Sequence, residues 1–536
     1  MSQQLIEALQ NPDLYDHGTG EFKLYQTHIS WVLLTGDYAY KIKKPMDFGF
    51  LNFSTLEKRK FFCQQEVVLN KRLAPELYLD VVPISGSEDA PRLGDDSAPF
   101  EYAIRMKQFD GDRLLSNLQA EGAVTSTHIE SLAQQTADFH SQIRQADESM
   151  TLGDPAEVLA PAQQNFDQIR EMLTDKAALN QLSQLEGWMQ DTFARLEPLF
   201  AKRKETGMIR ECHGDIHLGN VALIESADGD NVTLFDCIEF NDEFRWIDVI
   251  SDAGFLVMDL EARGEDKLAR HFINQYLELT GDYQGIQLLP FYKAYRALVR
   301  AKVTRFMLAD PSIDDATRTA FEADYQRYID LAESYTVFEQ PFMLITHGVS
   351  GSGKSSISRA VIQELGVIRI RSDVERKRLF GLTGDQSSHS ELNEGIYTPE
   401  ATQQTYITLA QLADCVIHSA TPVIIDATNL KRWQRDALRD KAEQLGVPAL
   451  TLSFTASKET LERRIKKRLT TGNDASEADL AVLHKQLTEQ DPIAEDTEQD
   501  PIAEDEADYT VTIDTDEDNA SQTLLASIRR QFGLQP

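Results

Sequence analysis

The sequence predicts two folds in series. The first, to about residue 335, is an α+β half in which a small sheet-bearing lobe (about 20–110) precedes a helical lobe (about 111–335). The second, residues 342–536, is an α/β half built on a parallel sheet. Three observations predict this. β-rich runs crowd the first 110 residues around one long helical pattern, helical periodicity then dominates to about 335, and beyond 342 short apolar strands alternate with helices. At 536 residues the chain is also too long for a single core.

In chain order, Leu5, Ile6 and Leu9 mark a short helix, followed by a turn at His17 to Gly20. Ile29 to Thr35 and Tyr38 to Lys43 flank Gly36-Asp37 as a hairpin. Leu56 to Leu73 has helical spacing. Tyr78 to Ile84 and Phe100 to Phe109 read as strands, separated by the polar loop Ser85 to Pro99. From Thr125 to Leu199 the pattern is helical, with a break at Pro155 and Pro161 and separate helices at Met172 to Leu182 and Leu185 to Leu199. Glu211 to Asn220 reads as strand and loop, and Val232 to Phe235 as a strand ending in Asp236. Helices follow at 247–262, 267–280, 290–308 and 315–334, and 336–341 is the linker.

The second half alternates from its first residue: strand 342–347, helix 354–365, strand 367–371, helices across 374–418, strand 422–426, helix 431–445, strand 448–454 and helix 457–469. A strand at 509–513 and a helix at 521–532 finish it. Within it, E-Q-D-P-I-A-E-D occurs twice, at Glu489 to Asp496 and Glu498 to Asp505. No Lys or Arg lies between Lys485 and Arg529, so the region around 488–508 is a solvated, self-repelling acidic loop. A tandem duplication within a loop is the simpler reading, an acidic interaction segment the more specific one.

Hydrophobic content of 41% and charged content of 26% are those of a globular protein. The formal charge is −34, so the averaged field repels nucleic acid, which is not expected as a partner. Cys63, Cys212, Cys237 and Cys415 are scattered, with no C-x-x-C pair, which suggests neither a disulfide framework nor a zinc cage. No run approaches the ~18 apolar residues of a membrane span, and the N-terminus lacks a basic-then-apolar leader. A cytoplasmic protein is the expectation.

Gly348 to Ser356, G-V-S-G-S-G-K-S-S, fits G-x-x-x-x-G-K-[ST] at every fixed position and follows the apolar run Phe342 to Thr346. Glycines let the backbone curl around a phosphate chain with its N–H groups inward, and the next helix turns its positive end to the same anion. Gly348, Gly351, Ser352, Gly353, Lys354, Ser355 and Ser356 form the expected nucleotide cradle. Lys354 reaches the β/γ-phosphates and Ser355 holds Mg²⁺.

In the first half, Asp215 and Asn220 lie five apart in one loop, and Asp236 ends a strand about twenty residues later. Phosphoryl transfer from ATP needs a carboxylate to orient and deprotonate the attacking hydroxyl, and oxygen ligands that hold Mg²⁺. Lys41, on a strand in Y-A-Y-K, and Glu66, on the following helix, supply a lysine and its partner, with Lys43 and Lys44 as adjacent rivals. H-G-D-I-H-L-G-N and the later L-F-D-C-I-E resemble the catalytic and metal-binding segments of the aminoglycoside phosphotransferase and choline kinase-like branch of the protein-kinase fold. The resemblance covers roughly 20–335. It implies Asp215 as catalytic base, Asn220 and Asp236 as Mg²⁺ ligands, Lys41 as phosphate-binding lysine with Glu66 as its partner, and Tyr102 to Phe109 as the adenine hinge. The sequence departs from the protein-kinase pattern in two places: no G-x-G-x-x-G covers the phosphates, and Cys237-Ile238 follows the metal aspartate. For His213, bonding within the loop is preferred to catalysis, and a metal cluster of Cys212, His213 and His217 is not expected.

In the second half, Arg371-Ser372-Asp373 ends the second strand, where ligands bind in open α/β sheets, so the Asp373 carboxylate can orient an acceptor hydroxyl. Asp426 ends Val423-Ile424-Ile425 and suits Mg²⁺. Arg463, Arg464 and Arg468 suit a lid over the transferring phosphate, whereas Lys466 and Lys467 read nearly as well as a solvated face. These features resemble the P-loop kinases that include gluconate kinase, polynucleotide 5′-kinase, chloramphenicol phosphotransferase and zeta-type toxins. The resemblance implies Asp373 as acceptor base and Arg376 and Arg435 as substrate-side groups. The two halves together resemble the bacterial proteins described as bifunctional aminoglycoside phosphotransferase/ATP-binding proteins, through T-G-D-Y-A-Y-K-I-K-K-P, H-G-D-I-H-L-G-N and F-D-C-I-E-F-N-D.

The sequence therefore predicts a protein-kinase-like (aminoglycoside phosphotransferase-like) domain followed by a P-loop NTPase domain, each with an ATP·Mg²⁺ site. The acceptor is a small hydroxylated molecule: a sugar, sugar acid, nucleoside or aminoglycoside-like compound. The alternatives are an ATP-binding regulatory or assembly protein with slow hydrolysis, and a polynucleotide 5′-kinase-like second half, which requires a basic cleft near Arg371 to Arg378.

Overall fold

The computed structural model describes residues 3–226, 229–311, 313–338, 340–388, 390, 394–471, 475–493 and 504–535. It divides into two compact units, one of Met1–Leu260 with Tyr295–Tyr325 and one of Glu261–Ala294 with Gln326–Pro536. The sequence boundary at 335–342 therefore differs from the structural one, because a segment of the first half is built into the second unit. Among the described residues no helix is long and apolar enough to cross a membrane.

The first unit begins with α1 (Gln3–Ala8) and the strands β1 (Thr19–Gln26), β2 (Ser30–Gly36) and β3 (Tyr38–Lys43). Helix α2 (Leu56–Asn70) then leads to β4 (Tyr78–Ser87), β5 (Ala90–Leu93) and β6 (Pro99–Lys107). All six strands form one antiparallel sheet in the order β1-β2-β3-β6-β4-β5. Ala39 and Ile104 on one face pack with Cys63 and Val67 of α2. Leu33, Tyr40 and Ile42 on the other face pack with Leu5 and Ile6 of α1, which explains a short amphipathic helix at the start.

The two strands that the sequence hid are the sheet's edges. β1 occupies what reads as turn and loop, and β5 lies in the polar loop. Neither buries a full face, so neither carries the alternation that marks a half-buried strand.

The helical lobe contains α3 (Leu115–Ala120), α4 (Ser126–Gln142), α5 (Pro155–Glu171) and α6 (Lys176–Glu205). The expected break falls before Pro155, which takes the first turn of α5 where no N–H is needed, while Pro161 lies inside that helix. The two helices read at 172–199 are one, because Leu182, Leu185, Met189, Phe193, Leu196 and Phe200 continue a single buried stripe. Next come β7 (Ile209–Glu211), the hairpin β8 (Val221–Ser226) and β9 (Gly229–Leu234), β10 (Trp246–Asp248), which pairs with β7, and α7 (Val249–Ala262).

Helices α8 (Asp266–Thr280), α9 (Leu289–Leu308) and α10 (Asp315–Ser334) precede the alternating half. That half runs β11 (Met343–His347), α11 (Lys354–Leu365), β12 (Ile368–Arg371), α12 (Ser372–Leu379), α13 (Pro399–Ile417), β13 (Val423–Asp426), α14 (Arg432–Gln444) and β14 (Ala449–Thr455). It ends with α15 (Lys458–Thr471), α16 (Leu480–Glu489), α17 (Glu504–Ala507), β15 (Thr510–Asp514) and α18 (Ala520–Phe532). The five strands are parallel in the order β12-β13-β11-β14-β15. Most of the acidic duplication, 494–503, lies outside the described residues.

β12 is an edge strand, and α8 covers that edge. Asn274 of α8 donates to Val367 O at 3.1 Å and accepts from Arg369 N at 2.7 Å, so one amide side chain satisfies the open ladder. Arg369 and Arg371 alternate with buried Ile368 and Ile370, and Glu278 of α8 grips both arginines at 2.9 and 3.0 Å. A helix read as part of the first half thus completes the second sheet.

Candidate active sites

The first unit assembles the residues named from its sequence. Lys41 Nζ lies 2.7 Å from Glu66 Oε1 and 2.6 Å from Asp236 Oδ1. Burial opposes the charge on Lys41, but Asp236 and Glu66 outweigh it and hold its pKa well above the ordinary lysine value. Asp236 adopts a left-handed backbone, φ 63°, just after β9. Two groups hold that turn: Tyr78 Oη accepts from Asp236 N at 3.2 Å, and Asn70 Oδ1 accepts from Cys237 N at 2.8 Å.

Asn220 Nδ2 donates to Asp215 Oδ2 at 2.9 Å, which leaves the amide oxygen of Asn220 for a cation. His217 Nε2 lies 3.4 Å from the same Asp215 oxygen. Burial pushes the Asp215 carboxyl upward, but His217, Arg300 and His213 outweigh it and hold it below the ordinary carboxylate range. The Asp215 carboxyl is therefore ionised at neutral pH. Tyr102 to Lys107 of the proposed hinge lie on β6, and Gln108 and Phe109 follow it.

The loop's scaffold was not legible in sequence. Buried Asp252 of α7 accepts from both His213 N and Gly214 N at 2.9 Å, and His140 Nε2 lies 3.2 Å away. Asp259, also on α7, accepts from Leu218 N at 2.9 Å, and Arg296 of α9 donates to Gly214 O at 3.1 Å. His213 bonds Phe235 O through Nε2 at 3.0 Å and accepts from Asp215 N at 3.2 Å, so it braces the loop. His140, Cys212 and Asp252 come close enough to hold an ion, yet Asp252 is already committed to two backbone amides. The rival lysines also separate: Lys43 pairs with Glu66 and Glu239, whereas Lys44 bonds Thr27 O.

In the second unit the glycine loop follows β11, the central strand, at the carboxyl end of the sheet. Gly348, Gly351 and Gly353 all have positive φ, and α11 starts without a side-chain cap, so its first N–H groups are left for an anion. Lys354 Nζ donates to Gly348 O at 2.7 Å and Val349 O at 2.9 Å. The segment Asp426 to Asn429 is laced to β11. Thr346 Oγ1 donates to Ala427 O at 2.6 Å, Asn429 donates to Thr346 O at 2.6 Å, and Gly348 N donates to Thr428 O at 3.0 Å.

A cavity of about 580 Å³ gathers Gly351, Gly353, Lys354, Ser355, Ser356, Asp373, Asp426, Arg464 and Arg468, with Arg371 and Lys467 beside them. Gly348 and Ser352 do not line it. Ser352 instead ties the loop to the segment after β15, its O accepting from Thr515 Oγ1 at 2.9 Å. Asp426 is 6% exposed, and its Oδ2 has no hydrogen-bond partner among the described residues. An unpaired buried carboxylate oxygen in the same cavity as the Ser355 hydroxyl fits a hard cation such as Mg²⁺.

Three arginines differ from the sequence reading. Arg463 does not line the cavity; its guanidinium bonds Thr460 Oγ1 at 3.2 Å. Arg435 is fully buried against Glu506 and Asn429 O, and Arg376 bonds Ile396 O and Thr402, so neither reaches a substrate in this cavity. For Arg376 and Arg435 burial made the difference, and the sequence spacing carries no sign of it; Arg463 is exposed. Arg464 braces the loop as well as lining the cavity, bonding Gly351 O at 3.2 Å and Thr515 Oγ1 at 2.8 Å. Gln486 also went unforeseen; it accepts from Ser350 N at 2.7 Å.

Residues 63–289 match the phosphotransferase enzyme family, and residues 343–493 match the AAA domain. An uncharacterised protein of Mycobacterium tuberculosis is 28% identical over 453 residues, 84% of this chain and 87% of its own length. Among solved structures, a gluconokinase from Sinorhizobium meliloti is 24% identical, covering 36% of this chain and 96% of its own, with a TM-score of 0.25. An ethanolamine kinase from Plasmodium vivax is 14% identical, covering 61% and 84%, with a TM-score of 0.37. The two matches join a phosphotransferase-family segment to an AAA-domain segment that carries the glycine loop, and together they support a phosphotransferase of the kinase type.

Proposed function

We propose that each half transfers the γ-phosphate of ATP to a hydroxyl of a small molecule. The observation that carries this reading is the shared cavity of the second unit: the cradle residues Lys354 and Ser355, the carboxylate Asp373 and the arginines Arg464 and Arg468 face one space of about 580 Å³. A nucleotide cradle alone binds; a cradle with an acceptor-side carboxylate is equipped to transfer. The first unit supports the same chemistry, with ionised Asp215 bonded to Asn220 and with Asp236 held beside Lys41.

In each site the carboxylate, Asp215 or Asp373, takes the proton as the acceptor oxygen forms its bond to the γ-phosphorus, and the bond to the ADP oxygen breaks. Lys41 and Lys354 neutralise phosphate charge. Asn220 with Asp236, and Ser355 with Asp426, would hold Mg²⁺, which supplies charge neutralisation on the β- and γ-oxygens. Arg464 and Arg468 stabilise the transferring group.

The internal pairing of the basic segment favours a small acceptor over a polynucleotide end. Arg369 and Arg371 are paired with Glu278, Arg376 bonds Ile396 O, Lys377 bonds Gly384 O, and Arg378 pairs with Glu375. The test is a mass-shift screen for added phosphate on a panel of sugars, sugar acids, nucleosides and aminoglycosides. It compares the full chain with Asp215→Ala and Asp373→Ala. Each variant is expected to lose its own product by about 10²–10⁴-fold. ATP consumption that neither substitution lowers would show a nucleotide-dependent regulator instead of a transferase.

A further inference from the structure

β3 places Lys41 and Lys43 two residues apart, hence on one face, the face that packs against α2. Glu66 of α2 meets both. Its Oε1 lies 2.7 Å from Lys41 and its Oε2 lies 2.5 Å from Lys43. Lys43 in turn pairs with Glu239, and Lys41 with Asp236. The result is a chain of alternating charge, Asp236–Lys41–Glu66–Lys43–Glu239, whose two ends lie three residues apart on the segment after β9.

The inner and outer lysines differ in access. The Lys43 side chain is fully buried, with its ammonium 4.7 Å from the Phe53 ring centre, so it cannot itself touch a nucleotide. The Glu66 carboxylate, also fully buried, would turn freely about its last bond with one partner; the hydrogen bond from Lys43 to Oε2, together with the Lys41 ammonium paired in charge with Oε1, fixes its plane. Burying such a chain stabilises less than an apolar pair of the same volume would, so what the charges contribute is orientation.

We propose that Lys43 and Glu239 are positioning residues of the first site: they clamp Glu66 so that Lys41 is presented to the phosphates of ATP. This rests on the reading of Lys41 as a phosphate-binding lysine. It goes beyond that reading by assigning a task to a second lysine and a second carboxylate, neither of which contacts substrate.

The experiment uses the full chain with Lys354→Ala silencing nucleotide binding in the second half. Into that parent go the double substitution Lys43→Met with Glu239→Leu, which removes both charges together, and separately Glu239→Gln, which is nearly isosteric. Thermal melting, Mg·ATP affinity by calorimetry, and KM and kcat for ATP are measured on each. The double variant is expected to melt close to the parent, with affinity weakened and KM raised about ten-fold while kcat changes less than about three-fold. Glu239→Gln is expected to raise KM about three-fold, because Lys43 then draws on Glu66 alone. Unchanged KM and affinity in a folded variant overturn the proposal. If the double variant does not fold, Glu239→Gln decides, and parent-like KM there overturns it. A parent that binds no ATP overturns the reading beneath the proposal, and the proposal with it.

Discussion

Gly348→Ala tests the glycine loop at the one atom that the geometry forbids. Gly348 sits at φ +143°, and a Cβ there would lie 2.6 Å from Phe454 O and 2.8 Å from Ser352 Oγ. The backbone conformation alone costs a residue with a side chain roughly 1–3 kcal/mol. Overlap with a backbone carbonyl adds roughly 1–3 kcal/mol, since β14 cannot retreat without disturbing its pairing with β11. The total is about 4 kcal/mol, and it is divided between two measurable losses. If the loop keeps its shape, stability falls. If the loop shifts to relieve the contact, its N–H groups leave the phosphate positions, and each 1.4 kcal/mol appears as a ten-fold loss of ATP affinity.

The matched control is Gly446→Ala, also at positive φ, +68°, but with open space where the Cβ would go. It is expected to cost only about 1 kcal/mol, with ATP affinity unchanged. Urea melts and calorimetric titration of ATP on both variants, in the full chain, give the two terms. Losses for Gly348→Ala that match those of Gly446→Ala in both assays would refute the argument that close approach to Phe454 dictates this glycine.

Two further outcomes follow from the electrostatics. Because His217 and Arg300 hold Asp215 below the ordinary carboxylate range, its carboxylate stays ionised until pH falls below about 4, and the proposed base role predicts that activity of the first site holds down to that point. A pH profile of kcat/KM whose acid limb lies near pH 6, and is removed by Asp215→Asn, would contradict that assignment. In the second unit, Glu278→Ala leaves Arg369 and Arg371 without their shared anion in a largely buried setting, and about 3 kcal/mol of stability should be lost. Urea melts read this directly, and a change under 0.5 kcal/mol would show that α8 covers the β12 edge without gripping it.

The sequence by itself determined what is local. Nine residues, Gly348 to Ser356, suffice for a phosphate cradle because backbone N–H groups and positive-φ glycines build it within one turn. The loop from His213 to Asn220 likewise brings Asp215 and Asn220 into contact across five residues, and the strand-helix alternation after 342 could be read because the inner strands β11, β13 and β14 are buried on both faces and so form short, mainly apolar runs. The tertiary structure decided the partners of buried charge. Asp252 reaches back almost forty residues to hold His213 and Gly214, Glu239 meets Lys43 across nearly two hundred, and Glu278 crosses from the first half of the chain to Arg371 in the second. Arg435, read as a substrate group, proved to be the buried partner of Glu506. The physical reason is the same in each case. A buried ion must be paired, but any oppositely charged residue that the fold brings near can pair with it, so spacing along the chain carries no record of the choice.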